Sequence, residues 1–251
     1  VHEQPQPHPA FEADYDRFWR RYRSESAEVQ ELDTIEKLGE LAPGMRVLDL
    51  ACGFGRIANG LAARGCTVVG IDSSKHLLDI ARQEGDPATT YLLGDMRNPQ
   101  VDEDFDVVLV WSTSLGYYGE KDDEATLSAA LRALKPGGRL LVESRHWDRF
   151  GRTFDSFTEK SHGDDVLREW HSYDPLLGRQ LTEQEVVVEG RSTRRSYHVR
   201  RYGIPELRSL VLRLGYDEVS AHDERGQPLT PTSERAVLRA RRPLAGDERQ
   251  D

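Results

Sequence analysis

Between Met45 and Ser144 the chain alternates short, continuously apolar runs with stretches of helical spacing, and few folds accommodate that rhythm. The runs are RVLDL, TVVGID, TYLLGD, FDVVLVW and GRLLVES. A strand that is apolar at every position is buried on both faces, as in a parallel sheet covered by helices on either side. The intervening IANGLAARG, SKHLLDIARQ and DEATLSAALRAL carry helical periodicity. This pattern predicts an α/β fold with a doubly wound parallel sheet.

The flanks depart from that rhythm. Phe11, Tyr15, Phe18, Trp19 and Tyr22 fall on one helical face, and a second helix runs through Val29, Leu32, Ile35 and Leu38 to Gly39. From Arg145 to Arg201 the runs VLREWHSY, QLTEQEVVV and RRSYHVRRY are longer and more polar, separated by the turn signals DPLLG and EG. They read as an antiparallel sheet inserted into the main domain. A helix Pro205–Leu214 and strands Tyr216–Ser220 and Ala236–Ala240 then complete the main domain, which comprises 11–144 and 202–242. Residues 1–10 and 243–251 are polar, Pro-containing tails with the composition of loose ends.

With 34 Lys and Arg against 44 Asp and Glu, the net charge of −10 disfavours polyanionic nucleic acid and anionic membrane surfaces as partners. A small neutral or cationic substrate is the expectation. Cys52 and Cys66 have neither disulfide nor zinc-site spacing, so no metal is expected. No apolar run approaches a bilayer-spanning length and VHEQPQPHPA lacks the regions of a signal peptide, which gives the expectation of a cytoplasmic protein.

The segment LDLACGFGR joins the first strand to its helix, with Gly53, Gly55 and Ala58 satisfying G-x-G-x-x-G/A. Glycines admit a ligand to the backbone, and the helix N-terminus attracts an anion, either a pyrophosphate or an amino-acid carboxylate. Asp49 separates these two. It would repel a pyrophosphate and favour a ligand bearing an ammonium and a sulfonium beside its carboxylate, which is S-adenosylmethionine. Asp72, ending VVGID, is placed to accept ribose hydroxyls, and Asp95 in LLGDM to accept from an adenine amino group, with Met96 as an apolar flank.

Taken together, VLDLACGFGR, VVGIDSS, LLGDM and ALKPGGRLLVE resemble, in order and spacing, the Rossmann-like class I S-adenosylmethionine-dependent methyltransferases over about Leu41 to Glu143. WSTSLGYYGEKDDE, the inserted sheet and the ending DERGQPLTPTSERAVLRARR are similar to bacterial small-molecule N-methyltransferases of antibiotic and amino-sugar tailoring. The resemblance implies that Asp49, Ala51, Gly53 and Gly55 surround the methionine part of the cofactor. It puts Asp72 and Ser73 at the ribose and Asp95 and Met96 at the adenine, with Trp111 and Ser112 facing the methionine amino group and the methyl. An N-terminal aromatic helix over the cofactor would bring in Tyr15 and Trp19.

Three residues are candidates for substrate or proton handling: Tyr15, Tyr117 beside Tyr118 in the loop after the fourth strand, and His146 after the fifth. His171 and His198 lie on inserted strands, facing either solvent or substrate. Arg194, Arg195, Arg200 and Arg201 read as surface charge paired with the acidic excess. The expected reaction is in-line methyl transfer to a small-molecule acceptor, an amine nitrogen of a secondary metabolite in the first instance, with S-adenosylhomocysteine as product. The inserted sheet would form the substrate wall and offers a surface for a homo-oligomer. The alternatives are an O-methyltransferase, an RNA methyltransferase, a nicotinamide-dependent oxidoreductase and a non-catalytic cofactor-binding protein.

Overall fold

In a computed structural model, the described residues are 8–11, 14–20, 24–87, 89–102 and 104–246. Tyr22 and the outer parts of both expected tails lie outside them. Strands β1 (Arg46–Leu50), β2 (Thr67–Asp72), β3 (Thr89–Leu93), β4 (Phe105–Val110) and β5 (Leu134–Arg145) coincide with the five apolar runs. They are followed by β6 (Phe157–His162), β7 (Asp165–Asp174), β8 (Arg179–Val188) and β9 (Arg191–Arg200), then β10 (Asp217–His222) and β11 (Arg235–Arg241). One sheet has the order β10-β11-β5-β4-β1-β2-β3 and the other β6-β7-β8-β9. Strands β1 to β5 pair in parallel, whereas β11 pairs antiparallel with both β5 and β10.

Helices α1 (Tyr15–Trp19), α2 (Glu25–Gly39), α3 (Arg56–Ala63), α4 (Lys75–Gln83), α5 (Glu120–Ala133), α6 (Trp147–Phe150) and α7 (Ile204–Leu214) complete the chain, after a 3-10 turn at Pro9–Phe11. Ser24 caps α2 by accepting from the Ala27 N–H at 3.3 Å, and Ser74 caps α4 through the Leu77 N–H at 3.4 Å. Apolar side chains of α2, α3 and α4 cover one sheet face against Val47, Val68, Val107 and Leu109. Those of α5 and α7 cover the other against Leu48, Ile71, Val108 and Leu140. Burying both faces accounts for the continuous apolar runs. At the edge the burial fails: on β3, Leu92 and Leu93 are exposed.

The inserted sheet has four strands where three were expected, because FTEKSH is too polar to announce β6. It starts at Phe157, so residues 145–156 belong instead to the end of β5, to α6 and to a connection. Its side chains alternate. Thr158, Glu169, Gln184 and Arg195 lie in register across the four strands, and His171, Thr182 and Tyr197 form the adjacent row. Glu169, Gln180, Thr182 and Gln184 are buried, so this sheet turns a polar face inward. Residues 8–10, expected in a loose tail, are packed: Ala10 is buried and the His8 ring meets Tyr117 at 5.3 Å and Tyr118 at 5.2 Å. Among the described residues no helix is long and apolar enough to cross a membrane.

Asp123 in the first turn of α5 fastens the two sheets together. Fully buried, it accepts from the Gly116 N–H at 2.9 Å and from the Tyr202 hydroxyl at 2.7 Å, while the Arg200 N–H donates to the Gly116 carbonyl at 2.7 Å. The loop after β4 and the chain leaving β9 are therefore held by one carboxylate. Asp123→Ala strands two buried donors and is expected to cost about 3 kcal/mol in urea unfolding.

Candidate active site

The strand order reverses between β1 and β4, and a crevice opens at their carboxyl ends. Both strands leave the sheet through strained backbone. Ala51 (φ 60°), Ser112 (φ 59°) and Thr113 (φ 61°) are non-glycine residues in the left-handed region, a conformation that costs energy and concentrates at functional sites. The loop after β4 is braced by the Ser114 hydroxyl on the Trp111 carbonyl at 2.6 Å and by Arg235 on Thr113 Oγ1 at 3.0 Å. Arg235 is itself held by the buried Glu143 carboxylate, with Nη2 to Oε2 at 2.7 Å.

Two cavities meet in this crevice. The smaller, about 100 Å³, is lined by Ala51 and Gly53 after β1, Asp72 and Ser73 after β2, and Asp95 and Met96 after β3. Ile71, Leu77 and Met96 give it an apolar end. The larger, about 460 Å³, lies against the inner face of the inserted sheet, which contributes Lys160, Glu169, His171, Gln180, Thr182 and Tyr197. Phe11, Tyr15 and Ser112 line both.

Asp72 is held rigidly: Oδ2 accepts from the Gly53 N–H and Oδ1 from the Ser74 N–H, each at 2.8 Å. Burial raises its pKa against the lowering effect of these donors and of the Ser73 N–H. Asp49 is also buried, and no hydrogen bond reaches its carboxylate among the described residues. Desolvation pushes its pKa up to about 7, with Arg56 pulling it down and Asp72 adding to the rise. Asp49 itself lines neither cavity; after β1 it is Ala51 and Gly53 that face the smaller one.

Several expected residues have other roles. Gly53 is the ligand-facing glycine: a Cβ there would meet nothing within 4 Å. Gly55 is a packing glycine, because an added Cβ would lie 2.2 Å from the Tyr91 hydroxyl and 2.8 Å from the Ala81 Cβ. Trp111 lines neither cavity. It is buried with Val107 and Leu109 on the α3 side of the sheet, since alternation along β4 sends it to that face, and its indole Nε1 has no partner among the described residues. Trp19, expected at the cofactor, lines only the larger cavity, stacked on Tyr15 at 6.0 Å with Lys160 Nζ 3.9 Å from its ring centre.

His146 also lines neither cavity. It is buried, with Nδ1 3.1 Å from the Ser233 carbonyl oxygen, so the expected general base points away while its neighbour Arg145 lines the larger cavity. Asp95 lines the smaller cavity, but both its oxygens accept from Arg97 Nε at 2.9 Å. Burial would raise its pKa; the Arg97 hydrogen bonds outweigh that and leave it lowered. Tyr117 and Tyr118 divide the cavities, one lining the larger and the other the smaller, with Tyr118 hydrogen-bonded to Ser73. Of the arginines, Arg194 is exposed and pairs with Glu185, as surface charge should; Arg195 and Arg200 pair with Asp14 and Glu120 but are largely buried, and Arg201 lines the larger cavity. His198 is exposed.

Fold and crevice together give a Rossmann-like doubly wound sheet with two adjoining cavities at its strand ends, the smaller lined by Asp72 and Asp95. Residues 47–138 match a family model described as a methyltransferase domain. Over 128 residues the chain is 39% identical to a demethylmenaquinone methyltransferase of Mycobacterium sp. (strain KMS), covering 51% of this chain and 48% of that protein. The chain spans about half the length of the curated relatives it matches. Among solved structures it is similar to the CcbJ methyltransferase from Streptomyces caelestis, with a TM-score of 0.76 at 22% identity over 96% of this chain and 98% of that one. It also resembles CalS10, an amino pentose methyltransferase from Micromonospora echinaspora involved in calicheamicin biosynthesis (TM-score 0.67, 20% identity, 96% and 100% covered). Identities this low speak for the fold. The resemblance to class I S-adenosylmethionine-dependent methyltransferases read from the sequence is borne out.

Three outcomes follow from this geometry. Gly53→Ala should cost about 1 kcal/mol, the left-handed penalty alone, and abolish cofactor binding, whereas Gly55→Ala adds overpacking and should cost about 3 kcal/mol in urea unfolding. Asp49 is largely protonated below about pH 7 in the free protein, so an ammonium-bearing ligand must displace a proton. Affinity for S-adenosylhomocysteine should therefore fall as pH drops from about 8 to 6, with proton release seen by calorimetry in buffers of different ionisation enthalpy. Because the raised pKa means that the fold holds this proton, stability due to it is lost as pH rises through about 7. Asp49→Asn should raise the melting temperature of the ligand-free protein more at about pH 8 than at about pH 5.5.

Proposed function

We propose that the protein transfers a methyl group from S-adenosylmethionine to a small-molecule acceptor, at an amine nitrogen. The observation that carries this reading is the meeting of two cavities at Phe11, Tyr15 and Ser112. One has nucleoside-binding carboxylates and the other a polar wall, so two reactants can be held end to end. When bound, the cofactor supplies an electrophilic methyl on a sulfonium, open to in-line attack. The chain's own residues orient and desolvate: Asp72 fixes a ribose, Asp49 draws an ammonium, and the aromatic rings of Phe11 and Tyr15 exclude water from the junction.

Burial raises the Tyr117 pKa, so its phenol remains a neutral hydrogen-bond donor in the acceptor cavity. His146 being turned away, His171 is the better proton acceptor. It lines the acceptor cavity and burial lowers its pKa; its Nδ1 accepts from Gln180 Nε2 at 2.9 Å and lies 3.0 Å from Thr182 Oγ1, so a proton arriving there displaces the Gln180 amide. A neutral imidazole there can take the proton that an amine sheds. The amino pentose named for CalS10 supports an amine acceptor for this chain too.

Calorimetric titration with S-adenosylmethionine, S-adenosylhomocysteine and NAD tests the cofactor class. The first two should bind, NAD should give no heat, and Asp72→Ala should weaken binding by about tenfold or more. Selective binding of NAD would overturn the reading. His171→Gln should lower kcat and flatten its dependence on pH, leaving cofactor affinity unchanged.

A further inference from the structure

The acceptor cavity is lined by four arginines brought from separate elements: Arg56 at the start of α3, where Glu31 pairs with it, Arg145 at the end of β5, Arg201 just past β9 and Arg235 at the start of β11. Arg235 is neutralised by Glu143. Arg145 and Arg201 have no carboxylate within ion-pair distance among the described residues, although the chain carries an acidic excess. The nearby Glu169 is already engaged: Gln184 Nε2 donates to it at 2.8 Å, the Tyr197 hydroxyl at 3.3 Å, and Lys160 Nζ lies 3.5 Å away.

The Arg201 guanidinium is aimed rather than loose. Nη2 donates to Gln180 Oε1 at 2.7 Å, its plane lies over Trp147 with Cζ 3.6 Å from the ring centre, and its buried Nε has no partner. Arg145 Cζ lies 5.2 Å from the centre of the Phe150 ring, so α6 supplies an aromatic shelf under both cations. Desolvation lowers both pKa values, that of Arg201 to about 9, with Arg235 adding to the fall at Arg145 and Arg145 adding to it at Arg201. Two partly desolvated, unpaired guanidiniums facing one cavity are unfavourable until an anion joins them, and a guanidinium fork suits a carboxylate or phosphate.

We propose that the acceptor carries an anionic group, a carboxylate or a phosphate, which Arg145 and Arg201 bind together at the end of the acceptor cavity. Arg145 and Arg201 thereby set substrate specificity, selecting amines that bear an anion over neutral ones. The proposal rests on the reading of the larger cavity as the acceptor's.

The test uses the full chain at constant ionic strength, titrated by calorimetry with pyrophosphate, citrate and glycerol, each with and without S-adenosylhomocysteine. Pyrophosphate or citrate should bind and glycerol should not; the tighter of the two anions distinguishes a phosphate from a carboxylate acceptor. Arg145→Gln and Arg201→Gln should each weaken anion binding by about tenfold or more, with S-adenosylhomocysteine affinity retained as evidence of folding. Arg201→Lys, which keeps the charge and loses the fork, should fall between. Failure of both anions to bind, or affinities indifferent to both substitutions, would overturn the proposal. Loss of S-adenosylhomocysteine binding by the unsubstituted protein would instead sink the cofactor reading, and the anion titrations without it would still judge the arginines.

Discussion

The constraint on which this architecture depends is that parallel strands need long crossovers of one hand. From β1 the chain winds outward through β2 to β3, then returns to the other side of β1 to lay down β4 and β5. Connections leave β1 and β4 in opposite directions, so nothing covers the gap between their carboxyl ends. Ser112, which lines both cavities, and Ala51 and Gly53, which line the smaller, lie at that gap. The apolar faces of the strands fix the sheet, and the sheet in turn fixes where polar chemistry can be exposed.

Placing charge there works against the fold. Asp49 follows three residues of an apolar strand into a buried position and is held by no donor, while Ala51, Ser112 and Thr113 adopt backbone conformations that other surroundings would release. Their cost is borne by the cores on either face of the sheet, in which Leu48, Leu50, Val108 and Val110 are fully buried. A site that is poorly solvated and strained before ligand arrives is preorganised for one.

Strand order and helix positions were legible because burial on both faces leaves a continuous apolar signature. The strand-end acids were legible too, each closing an apolar run. What was lost followed mainly from alternation. In β4, Trp111 continues the Val107 and Leu109 side, and the period of two alone directs it into the core. At the end of β5 the same period separates His146 from Arg145: the titratable residue that looked catalytic faces Ser233, and the arginine beside it faces the cavity. The polar wall was present as Gln180, Thr182 and Gln184 spaced by two in QLTEQE, a pattern that reads as a solvated face until another layer covers it. The packing role of Gly55 depends on Tyr91, thirty-six residues away, and has no local signal.

The pairing of β11 with β5 has a consequence for how the chain assembles. Arg235 is opposite Arg145 and Arg241 opposite Arg139, so the last strand to be made sits directly beside one completed about ninety residues earlier. The whole inserted sheet, with α6, α7 and β10, lies in the chain between them. Closing a loop of that size is entropically costly when it is unstructured and much cheaper once β6 to β9 have collapsed into local hairpins. Local pairing of β6 to β9 would shorten the effective distance over which the main sheet must find its final strand. The inserted sheet thus bears on the closing of the main sheet as well as on the cavity it lines.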